Sequence, residues 1–247
     1  ALAMTSPVVW PSITRSNLHG CPPQEIERTA NYFLKEKKLH TFVKMNPTLL
    51  GERFVRDTLD AMGYGYITLN GHHFIHDLQF PDAVAMLKRL KALARELNLE
   101  IGVKLTNTLP VKILNQELPG EEMYMSGRSL YALSISLASK LAKEFNGDLN
   151  ISYSGGIDFF NIDKVMAAGV RPITFATTIL KPGGYERINQ LAHKVEGLQK
   201  GMAAGIDVAK IGSLAENALT DKHHLKELRP VNSRKLASEL PLYDCAV

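Results

Sequence analysis

Cysteine is nearly absent: Cys21 and Cys245 are the only two in 247 residues, near opposite ends of the chain. That excludes a disulfide framework and points to a reducing compartment, the cytoplasm. No apolar run approaches the roughly 20 residues that span a bilayer, so no membrane segment is expected. The first residues, Ala1-Leu2-Ala3-Met4, lack a basic stretch followed by an apolar core and do not read as a secretory signal. Aromatic residues make up 7%, and no basic stretch is interleaved with stacking side chains, which argues against a nucleic-acid surface. Charge is not one-sided either. The 29 basic and 25 acidic residues leave a formal +4, and the basic runs at 35–38 and 88–91 read as solvated helix faces. No G-x-G-x-x-G follows the first strand, which counts against a dinucleotide-binding domain. No second cysteine stands at CxxC spacing, and His72, His73 and His76 lack ordered ligand spacing, so no metal ligand is assigned.

What the chain does have is alternation. Apolar, β-branched runs predict six strands at 12–18, 40–45, 66–69, 100–105, 150–154 and 172–177. Helices are expected between them: one opening at Pro22-Pro23, then 51–62, 81–97, 129–145, 161–168 and 185–198, with a long polar loop over 107–126. Strand and helix in alternation mean parallel pairing with helical crossovers. Six strands suit a doubly wound sheet or part of a (β/α)₈ barrel. Polar residues gather where the strands end: Asn17 and His19, Lys44 and Asn46, Lys104 and Asn107, Ser154 to Gly156, Thr177 and Thr178. Both architectures place ligands at strand C-termini, so position alone does not decide. A full barrel needs eight strands, and the missing ones are expected upstream of Ala1. The chain therefore reads as the C-terminal part of an α/β barrel over 1–198, followed by a helical tail over 199–247.

Four constellations carry chemistry. Ser154-Gly155-Gly156 and Ala176-Thr177-Thr178 close successive strands, and consecutive glycines let backbone N–H groups approach an anion such as a phosphate. The plain alternative is a Gly-Gly turn that only relieves strain. Lys44 and Lys104 each sit inside an apolar strand, where an unpaired ammonium is expensive. Each calls for a ligand anion, an electron-rich ring or a buried carboxylate. Cys21 lies at a strand-to-helix turn that favours a thiolate, or is simply small enough for the turn before two prolines. Ser126 makes a fair helix N-cap, and Gly127 would let the chain close over a ligand.

In series, "NLHGCPP", "VKMNPT", "KLTNT", "MSGRSL", "SYSGGID" and "ITFATT" resemble the dihydroorotate and dihydropyrimidine dehydrogenase flavin barrels. "LHGCPPQEIE", "TFVKMNPTLLG", "LPGEEMYMSGRSL" and the terminal "LPLYDC" resemble, more closely, the large flavin and iron–sulfur subunits labelled selenate reductase. The resemblance implies a dihydroorotate dehydrogenase-type TIM barrel whose first strands precede this chain. It implies FMN, its phosphate held by Gly155, Gly156, Ala176, Thr177 and Thr178, with Ser126 and Gly127 beside the ring or ribityl chain. Asn46 and Lys104 would contact the cofactor. Lys44, Lys104, Asn107 and Cys21 would serve catalysis, with Asn107 facing the substrate and Cys21 as loop acid or base. Which lysine meets the flavin stays open, because an apparent extra strand–helix unit separates them. An iron–sulfur segment near or beyond Cys245, a FAD- and NADPH-binding module and a molybdenum-type partner subunit would complete the electron path of this oxidoreductase. Two rival readings remain: a flavin-free barrel that only docks redox modules, and a lyase-type barrel using Lys44 or Lys104 as a Schiff-base nucleophile.

Overall fold

The computed structural model describes residues 11–16, 19–114, 116, 118–198 and 205–225. Asn17, Leu18 and Cys245 lie outside them, as does most of the expected tail.

Four parallel strands form the main sheet in the order β1 (Ser12–Arg15), β2 (His40–Met45), β3 (Ile101–Leu105) and β6 (Asn150–Tyr153). Along β2 burial alternates. Thr41, Val43 and Met45 are buried, while Phe42 and Lys44 lie on the other, half-buried face. Gly102 of β3 pairs with Phe42, and a Cβ there would come within 2.6 Å of the Phe42 ring. The inner face is thus filled by a large residue beside an absent one.

Helices cover the outer face. Helix α1 (Pro23–Lys35) starts on the two prolines, places Glu25 in its first turn, and buries Ile26, Ala30 and Leu34 four residues apart. It packs on β2 and on α4 (Phe80–Glu96). Between them come α2 (Glu52–Ala61) and α3 (Gly71–His76). Helix α5 (Tyr131–Glu144) is buried almost all round, from Tyr131 to Ala142, because it lies between β3, the 3₁₀ turn Pro47–Leu50 and α8 (Val208–Asn217). Helix α6 (Ile162–Ala167) and α7 (Glu186–Val195) follow β6. The boundary expected at 198 falls between α7 and α8, and α8 packs against α5 with Ile211 and Gly212 buried.

Three segments depart from the sequence reading. Residues 66–69 form no strand. Arg56 Nη1 and Nη2 donate to the carbonyls of Ile67 (2.5 Å) and Tyr64 (3.2 Å), and Thr68 O accepts from Lys112 N, so the segment's backbone pairs away from the main sheet. The polar loop expected over 107–126 instead holds an antiparallel hairpin, β4 (Leu109–Lys112) and β5 (Glu122–Met125), bridged to Leu69 at Val111. Residues 172–177 shrink to one parallel bridge, Ile173 to Tyr153. Pro172 has no N–H and only accepts, from Tyr153 N at 3.0 Å, and the chain turns into a 3₁₀ helix at Thr177–Leu180. The described sheet therefore has four strands and one bridge rather than six strands.

Candidate active site

Losing the strand at 66–69 removes the extra unit between the two lysines. β2 and β3 are direct neighbours, and Lys44 pairs in register with Lys104. Burial pulls both ammonium groups below the usual lysine range, and for Lys104 the charge of Lys44 adds to the effect. Of the two, only Lys44 lines the cavity at the strand ends.

That cavity, of about 360 Å³, opens at the C-terminal ends of β2, β3 and β6. Gly155 and Gly156 form one wall, Ala176, Thr177 and Thr178 another, and Ser126, Gly127 and Arg128 a third. The glycines are required by close approach. A Cβ on Gly155 would lie 2.8 Å from Ser134 Cβ. One on Gly156, at φ 71°, would lie 2.5 Å from the Gly127 carbonyl, and one on Gly127, also at φ 71°, 2.8 Å from Thr177 Cγ2. The loops at 127 and 156 therefore meet backbone to backbone, while Gly155 makes room for the Ser134 side chain and Gly127 for that of Thr177, approaches that only residues without side chains allow. Ser126 precedes the 3₁₀ turn Gly127–Leu130 but makes no side-chain cap; its carbonyl instead accepts from Ser129 Oγ at 3.1 Å. Lys44, Arg128 and Lys181 bring positive charge to the lining, against the single carboxylate of Asp158.

The other candidate residues lie aside from this cavity. Asn46 and Asn107 are joined to each other, Asn107 Nδ2 donating to Asn46 Oδ1 at 2.6 Å, and Ser16 Oγ donates to Asn107 Oδ1 at 3.2 Å. Asn46 Nδ2 in turn donates to Asp77 Oδ2 at 3.0 Å. Cys21, Lys44 and Asn46 border a crevice of only about 10 Å³, walled by Ile26, Leu49 and Leu78. The thiol of Cys21 thus packs among apolar side chains rather than facing the cavity.

Sequence reasoning missed Asp77. Its buried carboxylate accepts from Thr48 Oγ1 (2.7 Å), Gly20 N (2.7 Å) and Asn46, and pairs with His19 Nδ1 at 2.7 Å. Burial pushes this carboxyl up, but the hydrogen bonds from His19, Thr48 and Gly20 outweigh it and hold the group below the usual carboxylate range. No local signal marks Asp77, which stands 58 residues from His19.

A second missed group lies beside Asp158, whose Oδ2 meets His223 Nε2 at 2.5 Å. Next to it His224, 2% exposed, stacks on the Tyr131 ring with centroids 4.1 Å apart. Burial and then the neighbouring His223 pull the His224 imidazole down to about 4, and its Nδ1 has no hydrogen-bond partner among the described residues.

Residues 1–226 match the family described as "Oxidoreductase YgfK, N-terminal TIM-barrel domain". The chain is 49% identical over 235 residues to the protein named "Putative oxidoreductase YgfK" in Escherichia coli strain K12, and equally to its counterpart in strain O157:H7. The match takes in 95% of this chain but only 23% of those relatives. Two crystal structures of DHODH from Eimeria tenella are also similar. The complex with ferulenol shows 18% identity and a TM-score of 0.36 over 76% of this chain and 57% of that one. The ligand-free form shows 17% and 0.37 over 77% and 59%. That likeness is too loose for residue-by-residue comparison.

Proposed function

Because the chain belongs to the family of N-terminal TIM-barrel domains of the oxidoreductase YgfK, we propose that its cavity binds FMN within a larger multi-cofactor oxidoreductase. The observation that carries this reading is the side-chain-free cradle where Gly127, Gly155 and Gly156 meet beside Thr177. Backbone N–H groups in such loops suit a phosphate, and Lys44, Arg128 and Lys181 favour an anion there. Bound FMN would supply two-electron chemistry toward a substrate and one-electron chemistry toward iron–sulfur clusters. Lys44 would stabilise negative charge in the cavity, while Lys104, one strand over and outside the lining, would raise the local potential. Asn46 and Asn107 would orient a small planar substrate through their linked amides. Cys21, packed among apolar groups, would take no part in proton transfer.

On this reading the chain's 23% share of its relatives' length leaves room for iron–sulfur, FAD and NADPH modules in the same polypeptide. The full-length protein would act in the cytoplasm with a molybdenum-type partner subunit, relaying electrons between a small substrate and the iron–sulfur chain of a selenate reductase-like oxidoreductase. No helix among the described residues is long and apolar enough to cross a membrane.

The test is the visible spectrum of the full-length protein with its extracted flavins identified. FMN alongside FAD is expected. FAD alone, with no uptake of added FMN, would leave the barrel as a docking scaffold. The paired, depressed lysines favour one further reading, a Schiff-base site, since a neighbouring cation keeps an amine neutral and nucleophilic. Borohydride trapping of a carbonyl compound on Lys44 or Lys104 would support it, and no trapping would exclude it.

A further inference from the structure

We propose that His19, His73 and Asp77 form a binding site for a divalent transition-metal cation, with zinc as the probe. One nitrogen from each ring and a carboxylate oxygen of Asp77 lie within 4.8 Å of one another. The hydrogen bonds around them assign the nitrogens. His73 Nε2 meets both oxygens of Glu122, at 2.9 and 3.1 Å, so its proton belongs on Nε2 and Nδ1 is bare. His19 Nε2 faces the Thr108 carbonyl at 3.3 Å, which likewise draws the proton to Nε2. Yet His19 Nδ1 faces Asp77 Oδ2 at 2.7 Å, and a neutral ring cannot donate from both nitrogens. A cation bridging Nδ1 and Asp77 removes that conflict, as does a neutral ring that donates Nδ1–H to Asp77 and leaves Nε2 only near the carbonyl. The two rings stand edge to face with centroids 4.9 Å apart. One shared cation satisfies both rings and the carboxylate together.

The surroundings match what metal-bound imidazoles need. Nε2 of each ring meets an acceptor, the Thr108 carbonyl for His19 and Glu122 for His73, the arrangement that fixes tautomer and ring plane. Glu122 is itself held by Asn70 Nδ2. Asp77 is fixed by Gly20 N, Thr48 and Asn46 and is nearly inaccessible, while the side chains of His19 and His73 are only 13% and 15% exposed. Bonds of about 2.0–2.2 Å put tetrahedral ligand atoms roughly 3.4 Å apart, so on binding the 2.7 Å contact of His19 with Asp77 lengthens and the wider separations, at most 4.8 Å, shorten. Two imidazoles and one carboxylate suit zinc and leave a fourth position for water or a ligand atom. Thr108, whose carbonyl meets His19 Nε2, also lines the cavity at the strand ends. His72 and His76 have ring centroids 4.1 Å apart but, among the described residues, form no such cluster with a carboxylate.

The experiment is zinc content of the purified full-length protein after equilibration with zinc, read as the difference between wild type and variants. His73→Ala is expected to lose one zinc per chain and His72→Ala/His76→Ala none. Glu122→Gln, which keeps the shape of the site and serves if His73→Ala fails to fold, should weaken zinc at this site at least tenfold in a chelator competition. Equal zinc content in wild type, His73→Ala and Glu122→Gln, with no change in competition, would overturn the proposal, as would loss confined to the His72→Ala/His76→Ala protein.

Discussion

The two halves of the barrel mouth are built by opposite means. On the cavity side, Gly127, Gly155 and Gly156 let neighbouring loops and the Ser134 and Thr177 side chains pack closely, and the site is made by what the glycines leave out. On the other side, Ser16, His19, Asn46, Thr48 and Asn107 converge by side-chain hydrogen bonds that span up to 91 residues, centred on Asp77. The first kind of site fails when an atom is added. The second fails when an atom is removed, because buried donors then lose their acceptor.

The largest expected effect tests the second half. Asp77→Ala should cost about 4 kcal/mol in urea unfolding, since it strands His19, Thr48, Asn46 and the Gly20 amide in the interior. A loss under 1 kcal/mol would mean water replaces the carboxylate freely, and the network would not be the keystone described here.

The cavity half has one polar liability of its own, His224 behind Asp158. Its imidazole titrates near 4 in the fold against 6.5 when unperturbed. The unfolded chain therefore takes up a proton first as pH falls, and this group's contribution to stability is complete above 6.5 and lost progressively toward 4. A shift of that size corresponds to about 3 kcal/mol. His224→Phe, which keeps the stack on Tyr131, should flatten this part of the melting temperature's dependence on pH. An unchanged slope would place the acid sensitivity elsewhere.

Gly156→Ala sharpens the contrast further. The added methyl enters a left-handed backbone position against the Gly127 carbonyl, costing about 2 kcal/mol of stability, with loss of FMN binding as the larger readout. Next, Lys44→Ala should weaken FMN at least tenfold and Lys104→Ala less, because only Lys44 reaches the lining. Equal losses would mean the pair acts as one charge. The smallest effect belongs to Cys21→Ser, expected to leave flavin reduction within about twofold and stability within about 1 kcal/mol.

How much of this could be read beforehand follows from the same contrast. Glycines after strands are local signals: Gly155, Gly156 and Thr177 were read at strand ends and Gly127 at a helix start, and the structure brings all four to one cavity. β2 begins and ends where its pattern says it should, His40 to Met45. Residues 66–69 misled because a β-branched, aromatic run also suits a segment whose carbonyls are taken by Arg56. The β4–β5 hairpin hid inside a polar stretch, since its pairing is decided by contact with Leu69 rather than by alternation. Asp77 was invisible because nothing near it in sequence distinguishes it from any helix-ending aspartate, and its side-chain partners come from two distant segments, 19–20 and 46–48.

The central claim, that the glycine cradle holds a phosphate, is tested most directly by titrating flavin-stripped full-length protein with FMN and with riboflavin, which lacks only that group. FMN is expected to bind at least a hundredfold more tightly, and Gly156→Ala to erase most of the difference. Equal affinity for the two flavins, or an FMN preference untouched by Gly156→Ala, would contradict the account.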